Sequence, residues 1–187
     1  MIATVRAGWL VAPVLAAGLL HVVVLKTGSL SRLATPLDGG RRLNGRPLLG
    51  PSKTWRGLVL MPALTALAAS LAVLLARPLP PELRPFPGRR VGPWLLGTML
   101  GLGYCAGELP NSFVKRRLGI PAGGSAPRLA GLQYLIDQTD SVAGCLVALR
   151  LVYRPRRVEL ALAAVLGSGA HVAVDLLMRS IGLRKIG

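Results

Sequence analysis

Acidic residues are scarce in this chain: seven Asp and Glu stand against 23 Lys and Arg in 187 residues, a formal net charge of +16. Aromatics are scarcer still, at 4%. A surface that binds single-stranded nucleic acid needs stacking rings among its cations. No such interleaving occurs here, so the positive charge points to anionic headgroups and away from nucleic acid. The two cysteines, Cys105 and Cys145, fall in separate apolar stretches and make neither a CxxC nor a metal-ligand spacing, which leaves them as packing residues. Strand-like alternation is absent, as is any internal repeat of the kind that marks an inverted-repeat transporter.

What the chain has in quantity is apolar length. Hydrophobic residues make up 52% and the mean hydropathy is +0.53, the profile of an integral membrane protein. A spanning helix needs about 20 mostly apolar residues, and five segments approach that: roughly 7–26, 57–76, 93–109, 132–151 and 159–178. These predict an all-α integral membrane bundle of about five transmembrane helices. The whole of 1–187 forms a single transmembrane domain, with Gly/Arg-rich cytoplasmic loops at about 27–56 and 110–131. Arg6 ahead of an apolar run resembles the start of a secretory signal, but the run is too long and has no clear cleavage site, so it reads as the first span. With the N-terminus outside, 14 of the 23 basic residues fall on the cytoplasmic side, the bias expected of a multi-pass protein of the plasma membrane.

Against that background the stretch "QYLIDQTDSV", residues 133–142, is anomalous. Asp137 and Asp140 stand three apart, on one helical face with Ser141 beside them. Each charged Asp at the centre of a span costs on the order of 3 kcal/mol, so the pair asks for a strong partner. A divalent cation relieves two adjacent carboxylates well; pairing with arginines as structural glue is the plainer alternative. Mg²⁺ is commonly held by one or two carboxylates plus phosphate and water.

Two further segments carry candidate chemistry. In "GELPNSFVKRRLGI", residues 107–120, Pro110 is expected to end or kink the third helix just after Glu108. The following residues then form a short interfacial helix that turns Lys115, Arg116 and Arg117 towards phosphates or headgroups. The loop "PLDGGRRLNGRPLLGPSKTWRG", residues 36–57, offers Arg46, Lys53, Thr54 and Arg56 as phosphate donors among glycines that permit close backbone approach. It matches neither a P-loop nor the CDP-alcohol phosphotransferase pattern, and a flexible positive-inside loop is the plainer reading. His171 and Asp175, four apart on the last helix, are placed to touch.

Taken together, these three stretches resemble the CDP-archaeol synthase family, small five-span relatives of the CDP-diacylglycerol synthases, in consistent order from about residue 36 onward. Ser112, Lys115 and Arg116 match the first part of the wider cytidylyltransferase signature, and Asp137, Asp140 and Ser141 match the second. Glu108 replaces the usual Asp, keeping the charge and lengthening its reach by one methylene. The resemblance implies that CTP and a lipid phosphatidic acid give a CDP-lipid and pyrophosphate. It further implies Mg²⁺ on Asp137, Asp140 and Glu108, catalysis by Asp137, Asp140 and Lys115, and nucleotide contacts from the loop cations, Ser112, Arg116 and Ser141. An acyl acceptor in place of the isoprenoid-ether one remains open. So do a proton-coupled carrier relaying through Asp137, Asp140 and His171, and an anionic-lipid scaffold.

Overall fold

The computed structural model describes residues 1–86, 91–124 and 129–182. Five long helices account for about two thirds of it: α1 (Ile2–Thr27), α2 (Trp55–Leu75), α3 (Pro93–Arg117), α4 (Ala130–Val152) and α5 (Arg157–Ser180). Each helix packs on its neighbour in sequence and α5 returns to α1, closing a five-membered ring. The outer face of the ring differs from that of a water-soluble protein. Leu67, Leu71 and Leu75 of α2 and Val147 and Leu151 of α4 face outward, whereas Thr65, Gln138, Ser141 and Asp175 are buried. An apolar outer face is what a bilayer favours, and the buried polar groups share the interior with an apolar core that includes Leu10, Leu96, Leu100 and Leu149.

Among the described residues, α1, α2 and α5 alone are long and apolar enough to qualify as spans on composition. The other two expected spans are helices as well, but they carry the ionisable residues of the interior, and that lowers their hydropathy.

The third helix does not end after Glu108, one of the two outcomes expected of Pro110. α3 runs without interruption through Pro110 to Arg117, so there is no separate interfacial helix and the following loop starts at Leu118 rather than at 110. Pro110 withdraws one intrahelical donor, a loss that helices packed among others tolerate. Here α3 is gripped on two faces in the turns before the proline. Gly97 and Gly101 lie so close to α2 that an added Cβ would stand 2.5 Å from the Thr65 carbonyl and the Pro62 Cα respectively. On the opposite face Gly103 and Gly107 meet Gly144 and the Asp140 backbone of α4 within van der Waals contact. Small residues four apart let spanning helices approach to backbone distance. Glu108 consequently sits well inside α3, nine residues or about 14 Å of axial rise from its end.

The α1–α2 connection, expected to lack strands, contains a small hairpin. β1 (Arg42–Leu43) and β2 (Arg46–Pro47) pair antiparallel around Asn44 and Gly45, both at positive φ (49° and 74°). Asn-Gly is the favoured pair for such a two-residue turn. The far end of the ring is pinned by Arg6, 3.5 Å from Glu159, and by the Trp9 indole donating to the Leu83 carbonyl at 2.8 Å.

Candidate active site

α3 and α4 build the centre of the site between them. Because Gly107 brings α4 to backbone contact, Asn111, one turn further along α3, reaches both carboxylates. Its Nδ2 lies 2.7 Å from Asp137 Oδ1 and 2.7 Å from Asp140 Oδ2. One donor thus touches two carboxylates, and oxygen donors of this kind suit a small hard cation. Lys115, two turns from Glu108 on α3, donates to Asp137 Oδ2 at 2.8 Å, and both side chains are largely shielded. Lys53, from the end of the loop, pairs with Glu108. Among the described residues no three His, Cys, Asp or Glu side chains converge as a preformed metal cluster. A cation here would draw on the Asp pair and on oxygens brought by its ligand.

These groups line one polar cavity of about 1420 Å³ including its open mouth. Of the expected residues, Lys53, Glu108, Ser112, Lys115, Arg116, Asp137 and Asp140 are on its wall. The remaining loop donors are otherwise engaged. Arg46 donates to the Arg117 carbonyl, Thr54 caps α2 through the Gly57 amide at 3.5 Å, and Arg56 donates to the Ser29 carbonyl at 3.1 Å. Arg116 reaches the cavity, yet its guanidinium also donates to the carbonyls of Leu49, at 3.2 Å, and Ile120. Arg117 donates to Leu43, Arg46 and Pro47 carbonyls, so the end of α3 holds the hairpin in place.

The loop has its own clamp. The Asp38 carboxylate accepts from the Gly40 amide at 2.9 Å and from the Leu49 and Gly50 amides at 2.9 and 3.1 Å. Partial burial opposes its ionisation, but the amides of Leu49, Gly50 and Gly40 outweigh that and hold its pKa below the ordinary value. A depressed carboxylate pKa contributes order that is complete above the unfolded value, about 3.9, and disappears as pH falls through the lower folded value. Amide resonances of Leu49 and Gly50 should therefore keep their native shifts down to that range and collapse only below it. Asp38→Asn should abolish the titration; an identical titration in the variant would remove Asp38 as its source.

Several residues of the site carry no sequence signal of their own. Asn111 follows a proline expected to end the helix. Tyr104 and His21 sit among apolar neighbours, and both line the cavity. The Tyr104 hydroxyl is 3.1 Å from His171 Nε2, and His171 Nδ1 is 3.3 Å from the Gln138 carbonyl. That carbonyl can only accept, so Nδ1 carries the proton that points to it. The expected neighbour of His171, Asp175, pairs with Arg179 at 2.9 Å.

A second cavity, about 630 Å³ including the open space at its mouth and almost wholly apolar, lies between α1, α3, α4 and α5. Gly18, Tyr104, His171 and Val174 border both cavities. Ser141, expected beside the nucleotide, lines the apolar one, whereas Asp137 and Asp140 line the polar one.

Comparison with known proteins assigns this arrangement to a family. A family model described as CarS-like, CDP-archaeol synthase, matches residues 4–186. The CDP-archaeol synthase of Aeropyrum pernix is 34% identical over 183 residues, covering 90% of this chain and 91% of that protein. The enzyme of that name from Methanosphaerula palustris is 35% identical over 159 residues, 81% of this chain and 89% of the relative. A third, from Hyperthermus butylicus, is 38% identical over 119 residues, 62% of this chain and 58% of its own length. A solved structure described as an intramembrane enzyme for archaeal membrane lipids biosynthesis superposes with a TM-score of 0.61 at 29% identity, covering 91% of this chain and 92% of the other. The chain belongs to the CDP-archaeol synthase family, membrane-embedded CTP-dependent cytidylyltransferases that form a CDP-lipid.

Proposed function

We propose that this single transmembrane domain transfers CMP from CTP to the phosphate of an isoprenoid-ether phosphatidic acid in the plasma membrane. In this reading its polar cavity opens to the cytoplasm. The observation that carries it is the shared border of the two cavities: a polar chamber with carboxylates and lysines and an almost wholly apolar one have Gly18, Tyr104, His171 and Val174 in common on their walls. A lipid phosphate needs both, one for its headgroup and one for a chain. The excess of basic residues on the loops flanking the polar end favours the cytoplasmic orientation.

The chemistry is one of positioning and charge neutralisation. An oxygen of the lipid phosphate bonds to the α-phosphorus of CTP, the α–β anhydride bond breaks, and pyrophosphate leaves; no protein nucleophile is needed. Asp137 and Asp140 would hold Mg²⁺, with Glu108 across the cavity as a further carboxylate. Bound there, the ion supplies neutralisation of charge on the phosphates. Lys53 and Lys115 are paired with Glu108 and Asp137 in the resting site. When the nucleotide arrives, its phosphates give both ammonium groups new partners, and the lysines stabilise the departing pyrophosphate. Ser112 and Arg116 line the same wall and complete the donor set. Tyr104 and His171 mark the level at which headgroup gives way to chain.

The direct test is incubation of the purified protein with Mg²⁺, CTP labelled at the α-phosphate and either an isoprenoid-ether or an acyl phosphatidic acid. Labelled CDP-lipid is expected with the ether acceptor. No labelled lipid with either acceptor, from folded protein, overturns the assignment. Gly18 tests the route of the chain. Gly18 borders both cavities and a Cβ there meets no atom within 4 Å, so Gly18→Leu adds bulk at their shared border without displacing backbone. Leucine also gains helix propensity over glycine. We expect kcat/KM for the lipid to drop by about tenfold or more, with CTP binding by titration calorimetry retained. Undiminished lipid use would show that the chain does not pass Gly18.

A further inference from the structure

Ser141 is completely buried and its hydroxyl has no hydrogen-bond partner. It belongs to the wall of the apolar cavity, among Val142, Cys145 and Leu146 of the same helix. An orphaned polar atom in such a wall is uncommon and calls for a partner the protein itself does not supply. The hydroxyl is also placed with respect to the chemistry. Ser141 follows Asp140 directly and lies one helical turn, about 6 Å of axial rise, from Asp137 on the side away from the loops. In a glycerol phosphate, the linkage oxygens that begin the lipid chains stand two and three carbon atoms from the phosphate ester oxygen. A phosphate seated against the Asp pair therefore brings a linkage oxygen to the level of Ser141, where the chain enters the apolar cavity.

We propose that the Ser141 hydroxyl donates a hydrogen bond to a linkage oxygen of the acceptor and so recognises the lipid's glycerol backbone in place of the nucleotide. This rests on the cytidylyltransferase reading above and adds to it a residue that determines acceptor specificity. An ether oxygen accepts but cannot donate, and a serine hydroxyl supplies the missing donor while its own oxygen needs no further partner in an apolar wall. The same donor also suits an ester linkage, so Ser141 distinguishes acceptors with a linkage oxygen from those without one.

The test pairs Ser141→Ala with two acceptors: a diether glycerol phosphate, and its analogue in which the sn-2 ether oxygen is replaced by a methylene group. With wild-type protein the methylene analogue should have a kcat/KM about five- to tenfold lower, the worth of one neutral hydrogen bond. Ser141→Ala should lose the same factor on the diether, through the lipid KM, with the KM for CTP unchanged. The variant should then treat the two acceptors alike, because each change removes the same bond. A raised KM for CTP, no change on the diether, or two losses that multiply independently would each overturn the proposal. Wild-type protein inactive on both acceptors would instead defeat the enzymatic reading itself, and this inference with it. CTP binding measured on the variant separates a misfolded protein from a specific loss.

Discussion

Replacing Asp140 with Asn is expected to reduce turnover at least about 10²-fold while leaving the protein as stable as wild type or more so. Asp137→Asn should lose turnover to the same extent and lose stability as well. The two carboxylates differ in what the fold gives them. Asp137 is answered by Lys115 at 2.8 Å, and amidating it leaves a buried ammonium without its counter-charge. Breaking a buried pair from one side is costly, about 3–5 kcal/mol in well-shielded cases, an upper figure here because both side chains keep some exposure. Asp140 accepts from Asn111 at 2.7 Å and from the Ser141 amide at 2.6 Å, and among the described residues no ammonium or guanidinium group pairs with it. Its charge is held at a cost, as expected of a group kept for a ligand. Rates measured with labelled CTP and melting points measured in detergent separate the two effects. An active Asp140→Asn, or one that melts well below wild type, would make the pair structural.

Gly107→Ala should cost about 1–3 kcal/mol of stability and lower turnover by about 10²-fold, for one methyl group placed away from every reacting atom. The new Cβ would run into the Asp140 carbonyl and the Gly144 Cα. α4 has to retreat, and both hydrogen bonds from Asn111 lengthen with it. A displacement of about 1 Å is enough to spoil an arrangement whose catalysis rests on position. Gly169→Ala on α5 is the control, since a Cβ there meets nothing within 4 Å. It should be neutral or stabilising by up to about 1 kcal/mol and leave activity alone. Equal behaviour of the two variants would remove the close α3–α4 approach as the element that sets the site.

The residues that carry charge into the bundle are legible in the sequence because hydrophobicity makes each of them conspicuous. Asp137 and Asp140 interrupt an apolar run, their spacing puts them on one face, and the motifs around Lys53, Glu108 and Lys115 complete the set that the polar cavity gathers. Asn111 is invisible by the same criterion. It is uncharged, it follows a proline, and its importance depends on how far α3 continues. The hairpin at Asn44–Gly45 has a readable turn signal, although with strands of two residues it leaves no periodicity to find.

Composition and spacing by themselves determined that the chain is a helical membrane protein and that it carries acidic residues within apolar segments, and the order of three motifs gave the resemblance to its family. Those properties follow from local transfer energies and from the order of residues along the chain. The tertiary structure alone decided that α3 passes through Pro110, that Asn111 joins the two carboxylates, and that Arg46 and Arg117 hold a loop. It also decided that Ser141 faces the apolar cavity although its neighbour Asp140 faces the polar one. Each depends on how closely and at what rotation two helices meet. That is fixed by glycines at 103, 107 and 144 fitting against a backbone far away in sequence, an interaction that no single segment contains.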